Sequence, residues 1–338
     1  MRKAPLKWLG FWLLLSLGAT AHGDFGELSS IASGLGFKPE DEQKLLAGEI
    51  ISADLPETTE KMLAQSFAIY APIHTYKIAD LVLSERVFQA DTNVLASGRI
   101  DPKNIAKSLA KASFNNKEAD ELNTLKGFVG GDDFNLSGAE LAQLGKAVKA
   151  GQTSAKALSK VYRAILVGRM QAYLKSGIAG IAPYQRDSGK QSNAADDLLA
   201  MTKASTLLAT GAPGLYRSFL EYPNNQSSHL EHGFFWVKRK VQERPTFVLE
   251  HRILEHSPAG GLTIMRREFF VGHSYNAAQA ISGAYTISNK GTLLFSTIRS
   301  ASDQVQGAMG SARHAIGRKL MTDELTLRFK NLRKLFAK

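Results

Sequence analysis

The most constraining feature of the chain is a change in hydrophobic spacing near Glu231. From there to Asp303, apolar residues alternate with polar ones, as in β-strands that bury one face. The spacing predicts five strands, at 234–241, 246–255, 262–271, 282–288 and 292–299. The residues from Ala308 to Lys338 return to helical spacing and predict one long helix. Glycine-containing turns between the strands predict hairpins, so the sheet should be antiparallel.

The residues before this change have mainly helical spacing. Ser154 to Leu174 carries the strongest pattern, with apolar residues three and four apart, and Ser137 opens a second helix with Glu140 in capping-box position. Ile50 to Leu55 is the clear candidate strand in this part. We therefore predict an α+β fold, with a mainly helical region at 22–225. A curved antiparallel sheet packed on a long C-terminal helix would occupy 226–338.

The first residues have the composition of an export signal. Arg2, Lys3 and Lys7 precede the apolar run from Trp8 to Leu17, which is too short to span a bilayer. Small residues around Ala21 suit cleavage there, so residues 1–21 are predicted to be a signal peptide of a bacterial periplasmic or secreted protein. An uncleaved anchor is the alternative. The chain has no cysteine, which excludes disulfides and thiolate metal sites.

Positive charge is concentrated in the back half of the chain. Residues 231–338 hold 17 Lys and Arg against 8 Asp and Glu, within a net formal charge of +11 for the whole chain. This imbalance favours an anionic partner such as a lipid headgroup, and predicted export argues against nucleic acid. In the last helix, a stripe from Ile316 to Phe336 is flanked by basic residues. The stripe predicts packing on the sheet, or contact with an anionic membrane surface.

Histidine is the most promising residue type for chemistry. Five of the eight histidines lie between His229 and His273. Strand alternation places His251 on the face of Phe247 and Leu249, and it places His273 on the face of Met265, Arg267, Phe269 and Val271. Two such imidazoles could converge on a pocket and stay neutral there. The alternative is a core histidine hydrogen-bonded to a buried tyrosine or acid.

Three further patterns are weaker. His229 and His232 lack the spacing of a zinc-protease motif, and we predict no metal and no cofactor. His273 and Ser274 would form a Ser–His pair only if neighbouring side chains pointed together, and no G-x-S-x-G elbow is present. Arg299 continues one strand face, and Asp303 is expected either to pair with it or to cap the turn into the last helix.

Some stretches resemble known proteins. The segments from Phe234 to Trp236, from Glu268 to Ala278 and from Ile298 to Asp303 resemble a loose group of uncharacterised exported bacterial proteins. That resemblance implies a location and a shared pocket, but no activity. The order of elements is also similar to that of helix-grip proteins of the START-like and polyketide-cyclase-like types. In those proteins a curved sheet wraps a C-terminal helix around an apolar cavity, although a fold alone does not give a function.

These patterns predict a protein that binds an apolar or amphiphilic, lipid-like molecule between the sheet and the last helix. Polar anchors would come from His251, His273 and Arg299. The predicted wall residues are Phe235, Trp236, Phe247, Leu249, Met265, Phe269, Tyr285 and Phe295.

Two alternatives remain at this point. A hydrolase or lyase would use His273 as general base, His251 or Tyr275 as its partner, and Arg299 to bind an oxyanion or carboxylate. That hypothesis requires the four side chains to converge on one open cleft. A membrane-surface protein would instead work through the basic last helix.

Overall fold

The structure is a computed structural model that describes residues 34–127, 131–256, 261–287, 291–307 and 309–336. The predicted signal peptide and most of the predicted turns at 257–261 and 289–291 lie outside these residues. One antiparallel sheet of eight strands carries helices on both faces, and a long helix ends the chain. The predicted α+β class is therefore confirmed.

The sheet strands come from two separate parts of the chain. The first part supplies β1 (Ile51–Asp54), β2 (Met62–Ala71) and β3 (Val94–Ile100). Two short strands, β4 (Tyr184–Gln185) and β5 (Gln191–Ser192), form a separate ribbon. The second part supplies β6 (Glu231–Val241), β7 (Arg244–His256), β8 (Leu262–Val271), β9 (Ala277–Ile287) and β10 (Gly291–Ala301).

The strand order is β1-β2-β10-β9-β8-β7-β6-β3. The five later strands thus form a meander, and the earlier strands extend it at both edges. In the first part of the chain the sequence clearly predicts only β1. β2 is buried along nearly its whole length, so it lacks the alternation that marks a half-buried strand.

β9 also differs from the sequence-based expectation. It begins at Ala277, where the sequence predicts a short helical turn or a bulge over Tyr275 to Ala280. The alanines of this segment are weak strand formers. They form a strand here because β8 and β10 flank it on both sides and small side chains let the helix Ala194–Lys203 approach.

Helices from residues 105–220 cover one face of the sheet. The central one, Ala155–Ser176, packs Tyr162 against Phe247 and Tyr173 against Phe269, with ring centroids 5.4 and 3.8 Å apart. The capping box predicted at Ser137 is present. We call these helices the helical layer. In chain order they are α3 (Ile105–Ser108), α4 (Ala119–Gly127), α5 (Gly138–Lys149), α6 (Ala155–Ser176), α7 (Ala194–Lys203), α8 (Thr206–Gly211) and α9 (Pro213–Leu220), while α1 (Asp41–Leu46) and α2 (Thr75–Leu83) precede them.

The other face of the sheet carries α2, a 3₁₀ turn over Glu85–Ala90 and the terminal helix α10 (Gly310–Phe336). α10 packs on β2, where the rings of Phe67 and Phe329 lie 5.6 Å apart. The predicted packing of the last helix on the sheet is therefore present. Among the helices that the structure describes, none combines the length and apolar character that a membrane span needs.

A β-bulge in β8 changes which side chains share a face. Leu249 pairs with Phe270 and Glu250 pairs with Glu268, which leaves Phe269 as an extra residue. Phe269 and Phe270 consequently both enter the core under the helical layer. Val271 packs in a different cluster, with Val237 and Val248. Strict alternation predicts Phe269 and Val271 on one side, and the bulge is the reason that they separate.

Candidate functional site

A pocket lies between the sheet and α10. It has a volume of about 190 Å³, and we call it the sheet–α10 pocket. α2 and α10 form one wall and the central strands form the other, so most of its surface is aliphatic or aromatic. The side chains that give it this character include Ile78, Leu81, Ile264, Leu294, Phe329 and Leu332.

Four arginines enter this apolar setting from neighbouring elements: Arg239, Arg252, Arg266 and Arg328. The first three stand on β6, β7 and β8, on the face opposite the helical layer. The guanidinium of Arg252 stacks on Phe88 and Phe235, at 4.7 and 4.3 Å from the ring centroids. Cation–π contact of this kind helps to hold a charge among apolar side chains.

Three carboxylates with little exposure pair with these arginines. Glu268 accepts from Arg239 at 2.8 Å and lies 3.6 Å from Arg266, while Asp91 pairs with Arg328 at 2.7 Å. Glu250 pairs with Arg252. Burial would raise the pKa of Glu268, but Arg239 and Arg266 lower it to about 2, so this carboxylate is ionised.

The arginines are not fully satisfied. The Nε atoms of Arg239, Arg266 and Arg328 are buried and have no hydrogen-bond partner among the described residues. An N–H group that is buried without an acceptor costs roughly 1–3 kcal/mol. Three such donors in one pocket therefore point to an acceptor that enters from outside.

The predicted wall residues are divided between the two faces of the sheet. Phe235 packs against Phe88 beside the sheet–α10 pocket. The ring of Phe295 lies on the strand face of Arg299, where it stacks on Phe37. Met265 packs near Phe219, and Tyr285 lies in a cluster with Phe295. The other four, Trp236, Phe247, Leu249 and Phe269, lie in the core under the helical layer. Alternation identifies the two faces of a strand, but it does not say which face adjoins a cavity when both are covered.

The four predicted catalytic residues do not meet in one cleft. His251 faces the helical layer, whereas the hydroxyl of Tyr275 donates to Glu268 on the opposite face. The side chain of His273 contacts Thr246 and Ser274 near the end of β8. Arg299 points toward the end of α7, where it donates to the carbonyl of the C-cap residue Ala204. The convergence that the hydrolase or lyase hypothesis requires is absent from this arrangement.

His251 belongs to a buried polar chain. Its Nδ1 lies 2.9 Å from the hydroxyl of Tyr173, and its Nε2 lies 3.0 Å from Nδ1 of His232. Arg267 donates to the same tyrosine oxygen at 3.1 Å. Burial, then His232 and Arg267, hold the pKa of His251 well below its usual value. This arrangement matches the alternative of a core histidine bonded to a buried tyrosine.

His273 and Ser274 do point together, contrary to the sequence-based expectation for neighbouring residues. Ser274 Oγ lies 2.6 Å from Nδ1 of His273, because Ser274 has a φ of 75° that turns its side chain back. Burial, with a further contribution from Arg244, lowers the pKa of His273 to about 3. The imidazole is therefore neutral, but it is also a weak base.

A polar cleft at the end of the sheet was not predicted. Asp303 pairs there with Lys61 at 2.7 Å and with Arg186 at 3.0 Å, and Asn276 donates to it at 3.2 Å. Burial would raise the pKa of Asp303, but hydrogen bonds led by that from Lys61 lower it to about 2. Asp303 thus pairs with these cations and not with Arg299, and the turn that follows is capped by Ser302, whose side chain accepts from the N–H of Gln304. The residues of this polar cleft are far apart in sequence, so no local spacing predicts that they come together.

Within the described residues, no group of three or more histidine, aspartate or glutamate side chains is arranged to hold a metal ion. Comparison with known proteins found no match for this chain among family models, curated proteins or solved structures.

Proposed function

We propose that the protein binds a small anionic amphiphile in the sheet–α10 pocket, in the periplasm or outside the cell, as the sequence predicts. The apolar part would lie against the walls that α2 and α10 supply. The anionic group would accept hydrogen bonds from Arg239, Arg266 and Arg328. The observation that carries the proposal is the set of three buried Nε donors without an acceptor.

The charge balance of the pocket favours a ligand with one negative charge. Four arginines face the three carboxylates Asp91, Glu250 and Glu268, which leaves one positive charge in excess. Arg328 also contacts Glu324, but that side chain is 46% exposed and its charge is screened by water. A buried charge is costly unless it is paired, so a monoanion would stabilise the pocket.

The volume limits the size of the ligand. At about 190 Å³ the pocket is somewhat larger than the ~150 Å³ cavity that holds one benzene ring. A chain of medium length fits this space, and a longer chain requires α10 to move away from the sheet. The similarity to helix-grip proteins supports the proposal, because in those proteins the cavity also lies between a curved sheet and the last helix.

Octanoate is a suitable probe for isothermal titration calorimetry on the mature chain. We expect octanoate to bind, and octanol and octylamine to bind at least tenfold more weakly, because only the carboxylate satisfies the arginines. Arg266→Gln should weaken octanoate binding at least tenfold. Ala280→Phe should block it by filling the pocket, since Ala280 lines the floor.

Arg86→Gln is the matched control. Arg86 is on the 3₁₀ turn beside the pocket, but its side chain is 64% exposed and pairs with Asp80. Its loss should leave octanoate affinity unchanged. Equal binding of octanoate and octylamine, or full affinity in both Arg266→Gln and Ala280→Phe, would rule out the sheet–α10 pocket as the binding site.

A second candidate function is contact with an anionic membrane through the outer face of α10. Ile316, Leu320 and Leu327 are 61, 59 and 48% exposed on this face. Exposed basic residues flank them, including Lys330 and Lys319, although Lys319 pairs with the exposed Asp323 at 3.1 Å. Apolar and basic side chains in this combination suit insertion between anionic headgroups. Binding to anionic vesicles that weakens with salt tests this candidate.

A hydrolase or lyase that uses His273 has less support. Its four proposed residues bond to different partners on different faces, and the low pKa of His273 makes it a weak general base.

A further inference from the structure

A second pocket lies on the opposite face of the sheet. It has a volume of about 500 Å³ and is enclosed by α8, the start of α9, the segment around Leu35 and strands β8 to β10. Its walls are mainly apolar, and they include Leu208, Ile281, Tyr285 and Phe295. We call it the Arg299 pocket. Its size falls within the range of small-molecule sites, about 300–1,000 Å³.

Arg299 is the charged side chain that enters this pocket from the sheet. It is only 6% exposed, and among the described residues it makes a single long hydrogen bond, from Nη2 to the carbonyl of Ala204 at 3.3 Å. Within that part of the chain its buried Nε has no partner, and no carboxylate lies within ion-pair distance of it. Burial accordingly lowers the pKa of Arg299, with no carboxylate to oppose the effect.

Other buried arginines have better partners. Arg239 has the same 6% exposure as Arg299, but it makes two hydrogen bonds of 2.8 Å to Glu268. Arg267 also has no carboxylate partner among the described residues, but it donates to Tyr173 at 3.1 Å and to the carbonyl of Phe219 at 3.0 Å. A buried guanidinium without a counterion is strongly destabilising, since a charge leaves water and gains little in return. Arg299 therefore does not stabilise the fold at this position, and its role there is a different one.

We propose that the Arg299 pocket binds a carboxylic acid with an apolar body, and that Arg299 pairs with its carboxylate. The planar guanidinium presents parallel N–H donors that match the two oxygens of a carboxylate. One buried cation matches one negative charge, which favours a carboxylate over a doubly charged phosphate ester. Lys203, exposed at the edge of the pocket, adds positive charge to the entrance.

This site is independent of the sheet–α10 pocket. The guanidinium groups of Arg299 and Arg266 lie on opposite faces of the sheet. The two proposals therefore fail separately, because a variant on one face leaves the other pocket intact.

Decanoate binding to the mature chain, measured by calorimetry, tests the proposal. In the Arg266→Gln background, where the other carboxylate site is weakened, Arg299→Met should weaken it at least tenfold, and Arg299→Lys should retain part of it because the charge remains. Thr297→Phe should also weaken it by filling the pocket. Arg266→Gln, on the other face, is the matched control for this site and should leave the Arg299-dependent binding in place.

Thermal unfolding without ligand separates a binding role from a structural one. Arg299→Met should raise the melting temperature of the free protein, because it removes an uncompensated buried charge. Decanoate should raise the melting temperature of Arg266→Gln, which keeps only the Arg299 site, and not that of the double variant Arg266→Gln with Arg299→Met. The proposal is overturned if the double variant binds decanoate as Arg266→Gln does, or if Arg299→Met is less stable than the wild type without ligand.

Discussion

Tyr173 holds the polar chain inside the helical layer together. Its hydroxyl lies 2.9 Å from Nδ1 of His251 and accepts a hydrogen bond from Arg267 at 3.1 Å. All three side chains are almost completely buried. Each group that loses its partner here has no water to replace it, so the chain is stable only as a complete unit.

Tyr173→Phe should therefore lower the free energy of unfolding by about 2–4 kcal/mol, since it leaves a histidine nitrogen and an arginine donor unsatisfied. Tyr222→Phe is the control. The ring of Tyr222 contacts the same His251 ring, with centroids 4.6 Å apart and the planes tilted by 56°, without bonding to it, and its change should cost less than about 1 kcal/mol. Urea unfolding measures both, and equal losses would contradict the role of the hydroxyl.

For single residues, the sequence predicts whether a side chain is buried better than it predicts its hydrogen-bond partners. Alternation correctly places His251 among Phe247 and Leu249, because local spacing determines the face of a strand. Its partners Tyr173 and His232 come from α6 and from the neighbouring strand β6, and no local pattern specifies them. Arg299 is a different case. Its strand face is predicted, but the absence of a described counterion is a property of the packed structure.

The terminal helix shows how one sequence stripe becomes two. Ile316, Leu320, Leu325, Phe329, Leu332 and Phe336 form one apolar series in the sequence. The step of five residues from Leu320 to Leu325 turns the direction by about 140° on a helix of 3.6 residues per turn. Leu325 is consequently buried on the sheet, whereas Ile316 and Leu320 face outward. The two hypotheses for this helix thus concern different faces.

The outward face of α10 predicts binding to anionic lipid vesicles. The mature chain should sediment with vesicles of phosphatidylglycerol more than with phosphatidylcholine, and salt should weaken the binding. Ile316→Glu with Leu320→Glu should reduce it at least fivefold. Leu95→Glu is the control, because Leu95 is a comparably exposed leucine, at 47%, that belongs to β3 and not to α10. Binding that is indifferent to salt and to these changes would contradict the membrane candidate.

Strands that bury one face and expose the other were predictable, because apolar and polar residues alternate along them. The predicted strand at 262–271 coincides with β8, and that at 246–255 lies within β7. β2 and the start of β9 were not predictable, since both are buried by neighbours that are distant in sequence. The bulge at Phe269 is likewise invisible locally, because it depends on the register with β7.

The whole molecule cannot be divided at the point where the hydrophobic spacing changes. β10 pairs with β2 and β6 pairs with β3, so both edges of the later meander are covered by strands from residues 51–100. The helical layer also covers Trp236, Phe247 and Leu249.

The fragment 226–338 alone should therefore fail to fold and should aggregate, because it exposes two strand edges and an apolar face. Co-expression with residues 22–225 should restore a soluble complex of the two pieces. Size-exclusion chromatography and circular dichroism measure both outcomes. A monomeric, folded 226–338 would show that the meander is an independent unit.

The pairing of Ile100 with Phe234 has a consequence for how the molecule reaches its final shape. The chain leaves the sheet after Ile100 and re-enters it before Phe234, on the neighbouring strand. The segment between these two residues therefore begins and ends at adjacent positions, like the loop of a very long hairpin. β2 pairs with β10 even later, because Ile69 is opposite Leu294 and this pairing requires nearly the whole chain to have been synthesised. Such distant closures are slow, and they leave the earliest strands unprotected until the last one arrives.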